Sequence, residues 1–181
     1  MIKEKNYIIK PNDLKIINNL ILEEKIPFTF KNNSTPKFVK KDFYFEHCIV
    51  QRKEATPPDE NRYKSIYYQN FLRVFIHIFS KFKIKKAEIY RAAINLTVNN
   101  SVKKCPIHYD HNYKHKQILI YLNDCDENAK TVILNKKNKK LKEITPKKNK
   151  GVLFDYLPHY HYFPKKGYRL VMVITFKEKE K

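Results

Sequence analysis

The sequence predicts an α+β fold in which a double-stranded β-helix, or jelly roll, of mainly antiparallel strands is backed by N-terminal helices. Three observations point there. Helical periodicity is confined to the first half of the chain. From residue 86 onward the pattern changes to short runs of β-branched and aromatic residues. Polar or Pro-containing turns separate those runs. Helices followed by strands in this way pack on an antiparallel sheet, and two such sheets folded face to face make a jelly roll. At 181 residues the chain suits one domain. Residues 1–85 would form a helical and strand support, and 86–178 the jelly-roll core.

Taken in order, residues 1–10 predict a short edge strand around Tyr7, Ile8 and Ile9. Pro11, Asn12 and Asp13 carry helix-start chemistry. Leu14, Ile17, Leu20, Ile21 and Glu24 continue at helical spacing, so one amphipathic helix runs up to Ile26-Pro27. PFTF at 27–30 predicts a strand, 31–41 a polar loop, and FYFEHCIV at 43–50 another strand. His47 has no partner at ligand spacing and reads as an ordinary strand histidine. Residues 51–62 form a loop whose Pro57, Pro58, Asp59 and Glu60 mark a helix start. In the run that follows, Tyr67, Phe71, Val74, Ile78 and Phe82 make one apolar stripe. Tyr68, Leu72, Phe75 and Phe79 make another. That helix is expected to be buried over most of its circumference against the outside of a sheet, with His77 inside the core. The strands after it are KAEIYRAAINLTV, QILIYLN, TVILN, EITP, GVLFDY and RLVMVITF. Residues 136–150 read as an exposed hairpin and loop whose lysines are solvated.

The bulk numbers narrow the class of protein. A net charge of +20 would suit an acidic partner such as nucleic acid, but Lys and Asn are spread along the whole chain rather than clustered. Arg occurs only at 52, 62, 73, 91 and 169, so each hints at a need for its planar fork. Cys48, Cys105 and Cys125 form no disulfide pattern and fit a reducing compartment. No signal-peptide core or membrane-length apolar run is present, which predicts a soluble, cytoplasmic protein. Gly stands only at 151 and 167, where either can hold a backbone position closed to other residues.

The chemistry concentrates in PIHYDHNYKHKQILIYL, residues 106–122. His108 and Asp110 lie two apart, so on a strand both side chains reach the same side and one metal ion. The second imidazole is His159 or His161. Pro158 puts His159 at a bend where the chain re-enters the site, which favours it and leaves His161 near the metal, facing the substrate or exposed. Two His and one carboxylate with open positions opposite is the pattern of non-haem Fe(II) oxygenases. A zinc string of Cys105, His108, His111 and His115 lacks the paired ligands of a structural site. His111 and His115 are then loop residues at the site mouth, and Cys105 and Cys125 small residues of the strand region. Arg169 opens the last strand with no acid beside it, so a bound carboxylate is a suitable partner. Tyr121, Asn95 and Thr131 are further candidates for holding that carboxylate.

Together IYRAAINL, HYD, ILIYLND, TVIL, GVLFDYLPH and RLVMVITF resemble the prolyl-hydroxylase-like branch of the Fe(II)/2-oxoglutarate-dependent oxygenases, over residues 88–176. The length and composition are in the style of a small phage or bacterial member. The resemblance implies Fe(II) on His108, Asp110 and His159, and 2-oxoglutarate on Arg169 with help from Tyr121. It implies hydroxylation of a substrate C–H, on a peptidyl proline or another acceptor, with release of succinate and CO2 and with ascorbate as a stimulant. Ala129-Lys130 stands where many members carry Gly-Gly. The alternative is a non-enzymatic basic jelly-roll module that binds nucleic acid; its only support is the net charge, with Tyr and Phe available for stacking. A mixed reading is an oxygenase acting on a nucleobase or a nucleic-acid-bound protein. Specificity is expected in the loops near 31–41, 51–62 and 111–116.

Overall fold

The computed structural model describes residues 1–23, 26–32, 42–55 and 62–179. Their elements run β1 (Ile2–Asn6), α1 (Pro11–Leu22), β2 (Thr29–Lys31), β3 (Tyr44–Val50), α2 (Tyr68–Lys81), β4 (Ala87–Val98) and β5 (Lys116–Tyr121). There follow β6 (Thr131–Leu134), β7 (Lys140–Ile144), β8 (Lys150–Asp155), β9 (His159–His161) and β10 (Tyr168–Glu178). A seven-stranded sheet has the order β1-β8-β5-β10-β4-β3-β2, and a smaller one the order β7-β6-β9. Every pairing is antiparallel. This is the expected jelly roll, and β2 and β3 from the first half of the chain join its large sheet.

Alternation along the central strands sorts the side chains. Ala92 and Ile94 of β4, Ile118 and Ile120 of β5, and Leu170, Met172, Ile174 and Phe176 of β10 pack with Ile17 and Leu20 of α1 and Phe71, Phe75 and Ile78 of α2. Residues of opposite parity, Leu119, Tyr121, Val171 and Val173, meet Ile133 and Ile144 of the small sheet. The large sheet is therefore covered on both faces, and its strands read as continuous apolar runs rather than clean alternations. Pro11 occupies the first turn of α1, where its missing N–H costs nothing. Asp13 in the same turn is buried and paired with Arg73 of α2 at 3.1 Å, which ties the two helices together.

Several local expectations change. The first strand lies at Ile2–Asn6, and Tyr7 breaks it with φ +54°. Ile8 and Ile9 are core residues. The Asn149 side chain accepts from Ile9 N–H and donates to Ile9 C=O, both at 2.8 Å, so an amide substitutes for the strand ladder. Helix α2 buries one face, not most of its circumference: Ile76 is 64% exposed and His77 lies half-buried on the flank rather than in the core. The helix-start residues Asp59 and Glu60, Glu24 of the first helix and most of the 31–41 loop lie outside the described residues. Cys105 and Cys125 sit in loops, not strands. Strand β9, which pairs through His159 and His161 with β6, is additional to the expected set. The 136–150 segment is a hairpin that turns at Asn138 with φ +58°.

The two glycines serve different needs. Gly167 holds φ +65° in a turn, a region closed to most side chains. Gly151 sits beneath Ile8, whose Cδ1 lies 2.2 Å from where a Cβ would be. Gly151→Val is expected to destabilise the protein by about 1–3 kcal/mol through overpacking, measured as a lowered urea midpoint at unchanged slope.

Candidate metal centre and its cleft

His108 and His159 face each other across a backbone pair, each N–H donating to the other's C=O at 3.0 Å. That pair brings the two rings to 4.5 Å between centroids. Asp110, two residues on from His108, adds its carboxylate. One ligand atom from each of His108, Asp110 and His159 lies within 4.8 Å of the others, the only such cluster among the described residues. His108 Nδ1–H donates to Pro106 C=O at 2.9 Å and His159 Nδ1–H to Leu157 C=O at 3.2 Å. Those bonds fix the tautomers and leave both Nε2 atoms as lone pairs. Asp110 Oδ2 stands 3.4 Å from His159 Nε2, yet it has no hydrogen-bond partner among the described residues. In the neutral tautomers set by those bonds, two imidazole nitrogens and a carboxylate oxygen converge, and the Gln117 side-chain amide lies 3.4 Å from His159 Nε2 as its donor. That donor set fits a divalent cation.

The other carboxylate oxygen is held by two of the scarce arginines, Arg91 and Arg52, whose place at the site their spacing did not announce. Arg91 of β4 lies 3.3 Å from Asp110 Oδ1, and its second nitrogen pairs with Glu46 of β3. Arg52 approaches Asp110 Oδ1 at 3.8 Å and also donates to its backbone carbonyl. Burial alone would raise the Asp110 pKa, but His159 and His108 in their protonated, metal-free forms, together with Arg91, outweigh it and hold the group well below the usual carboxylate range. Glu46 is likewise lowered, with Arg91 overcoming its burial. Tyr44, above the same cluster, is pushed up to about 12 by burial and by Glu46. The scarcity of Arg was the signal available in the sequence. Of the three remaining arginines, Arg73 pairs with Asp13 and Arg62 donates to the Ile89 and Tyr90 carbonyls.

The cluster opens into a cleft of about 830 Å³ between the two sheets. One end is lined by Asn95, Thr97, Thr131, His161, Phe163 and Arg169. Arg169 is buried, donates to Thr131 Oγ1 at 2.9 Å and lies over the Tyr121 ring at 5.4 Å. No carboxylate pairs with it among the described residues, and its Nε has no hydrogen-bond partner there. Asn95 Oδ1 is likewise buried without a partner. Tyr121 is fully buried behind the wall and reaches the site through Thr131, to which its hydroxyl donates at 2.8 Å. The cation end thus suits a small anion whose charge would satisfy Arg169.

The opposite wall comes from Lys31, Tyr44, Glu46 and the short 3-10 turn Lys53–Ala55 with its neighbours Gln51 and Arg52. The described part of the 51–62 loop therefore lines the cleft. Residues 111–116 do not. His111 is buried, bound to Glu54 at 2.6 Å and Thr175 at 2.7 Å, and His115 is buried against Tyr113, so neither stands at the mouth. The zinc string is dispersed by the same contacts. His161 does not join the metal cluster. It faces the cleft beside Arg169; burial first, and then the Arg169 charge, hold its pKa well below normal. His47 is satisfied by Pro27 C=O and Ser65, as expected of a structural histidine.

No protein-family model matches the chain, and no curated protein sequence does either. Solved structures do. An oxidoreductase of the 2OG-Fe(II) oxygenase family from Burkholderia pseudomallei superposes with TM-score 0.77 at 12% identity, covering 99% of this chain and 86% of that one. A viral collagen prolyl hydroxylase from Paramecium bursaria Chlorella virus-1 gives 0.59 at 11%, covering 99% and 96%. A prolyl hydroxylase from Trichoplax adhaerens, solved with a hypoxia-inducible-factor peptide fragment, gives 0.62 at 14%, covering 98% and 83%. The fold is that of the 2-oxoglutarate/Fe(II) oxygenases. No helix among the described residues is long and apolar enough to cross a membrane.

Replacing Arg91 takes the cation away from the partly buried Glu46 and leaves the buried Asp110 Oδ1 to Arg52 at 3.8 Å. Arg91→Leu is expected to cost about 3–5 kcal/mol of stability, read by urea denaturation. The lowered folded-state pKa values of Glu46 and Asp110 carry a pH signature. The stability they contribute is complete above the ordinary carboxylate range of about 4 and is lost as the pH falls through their depressed values. Metal-free protein should show that loss in acid titrations followed by circular dichroism, and Glu46→Gln should flatten it.

Proposed function

We propose that this protein is a non-haem Fe(II)- and 2-oxoglutarate-dependent dioxygenase that hydroxylates a substrate C–H and releases succinate and CO2. The observation that carries the reading is the convergence of His108, Asp110 and His159, whose Nδ1–H groups are held by backbone carbonyls and whose carboxylate Oδ2 has no hydrogen-bond partner among the described residues. Arg169, buried and without a carboxylate partner among the described residues, supports the diacid. The fold is common to the 2OG oxygenases described above. On this reading His108, Asp110 and His159 hold Fe(II), and Arg169 holds the far carboxylate of 2-oxoglutarate. Thr131 and Tyr121 orient the guanidinium, and Asn95 offers a polar contact to the cosubstrate.

When bound, iron and 2-oxoglutarate supply O2 activation and the oxidising equivalents for C–H hydroxylation. The chain's own residues do the rest. Arg91 and Arg52 occupy Asp110 Oδ1, so Oδ2 alone is presented to the cation. Leu119, Val171 and Val173 give the cleft an apolar floor, which limits water beside the reacting group. The wall of Tyr44, Arg52 and Tyr63 faces the substrate. A peptide segment suits that open cleft, as the bound fragment of the Trichoplax enzyme suggests by analogy. The basic-module alternative has only the overall charge of +20 behind it.

Purified protein with Fe(II) should convert 2-oxoglutarate to succinate, slowly without a prime substrate and faster with an accepted peptide. Chelation should abolish this, and His108→Ala or Asp110→Ala should lower it by at least about a hundred-fold, a few kcal/mol of activation free energy. Absence of 2-oxoglutarate binding to the metal-loaded protein would remove the assignment.

A further inference from the structure

His161 shares a face of β9 with His159, yet the metal cluster leaves it out. Its Cα partner on β6 is Thr131, the residue whose hydroxyl receives Arg169. Directly opposed residues in an antiparallel ladder are side-chain neighbours, so the imidazole stands at the Arg169 end of the cleft and lines it. Its Nε2 is buried without a hydrogen-bond partner among the described residues.

The other ring nitrogen is engaged. Cys105 Sγ lies 3.1 Å from His161 Nδ1 and accepts the His161 backbone N–H at 3.2 Å. The sulfur accepts that N–H, and its own proton can donate to Nδ1, which is the arrangement adopted here. A thiol donating to Nδ1 leaves the ring hydrogen on Nε2. The imidazolium would also carry a hydrogen there. In both forms a donor points from His161 into the cleft, beside a guanidinium that has no carboxylate partner among the described residues.

We propose that His161 is a second donor to the far carboxylate of 2-oxoglutarate, beside Arg169, and that Cys105 is the positioning residue that fixes its ring. This deepens the oxygenase reading and rests on it. The chemistry recognised is a carboxylate distant from the metal end. A 2-oxo acid lacking that carboxylate gains nothing from His161.

Calorimetry on Mn(II)-loaded full-length protein tests the assignment with two probes, 2-oxoglutarate and the monoacid 2-oxobutyrate. His161→Leu should weaken 2-oxoglutarate about ten-fold or more, the range of a hydrogen bond to a charged group. Mn(II) and 2-oxobutyrate affinities should stay unchanged. His161→Gln, whose amide nitrogen reaches a similar point, should recover most of the loss. Cys105→Ala should weaken 2-oxoglutarate several-fold, and Cys105→Ser, which keeps a donor for Nδ1, should not.

Unchanged 2-oxoglutarate affinity in His161→Leu would overturn the assignment, provided that Arg169→Leu loses it. Equal losses of both acids, or a loss of Mn(II), would overturn it by placing His161 at the metal end or in the scaffold. A wild-type protein that binds Mn(II) but not 2-oxoglutarate would overturn the oxygenase reading itself.

Discussion

Three neighbouring strands, β5, β10 and β4, must serve a core on each face, and that constraint organises the molecule. Even-numbered residues of β10 from Leu170 to Phe176 belong to the helix-side core. Arg169, Val171 and Val173 face the cleft. The same division puts Arg91, Asn95 and Thr97 of β4 and Gln117 and Leu119 of β5 on the cleft side. A slip of one residue would exchange the two sets completely. The apolar helix face thus stabilises the fold and also holds the polar face in register. Phe71 and Phe75 of α2, far from any chemistry, help to keep Arg91 and Arg169 aimed inward.

On that scaffold the charges are arranged in series. Glu46 on β3, Arg91 on β4 and Asp110 in the following loop form a largely buried chain of alternating sign, with Glu46 at its more exposed end. Such a chain is costly to desolvate and stable only when each member is paired. Asp110 uses one oxygen within it and keeps the other for the cation site. The second basic group, Arg169, lies at the far end of the cleft and is held by a neutral hydroxyl instead of an acid. The two arginines therefore differ in kind. Arg91 has its charge balanced within the protein, whereas Arg169 is suited to balance by a ligand.

How much was legible in the sequence follows from the range of each signal. The His108-x-Asp110 spacing and the Pro158-His159 bend are local, so their pattern is visible in a few residues. Arg169 was readable because no acid stands beside it in the chain. Arg91 was not assigned, because its partners Glu46 and Asp110 come from the β3–β4 pairing and a later loop. Its parity with Asn95 and Thr97 was masked by a strand apolar on both faces. The Cys105–His161 contact rests on a single bridge between Lys104 and Tyr162, which no periodicity announces. Tyr7 to Ile9 misled because an apolar run resembles a strand. The chain there is held instead by one asparagine 140 positions away.

His111 joins two parts of the structure that are distant in sequence. One ring nitrogen meets Thr175 of β10, the other meets Glu54 of the 3-10 turn, and Tyr113 adds a bond to the same carboxylate. That turn also forms one bank of the cleft. The bank is consequently moored to the middle of the barrel and not left to the stiffness of its own loop. An incoming guest would find that side already shaped by a tether that runs through one imidazole.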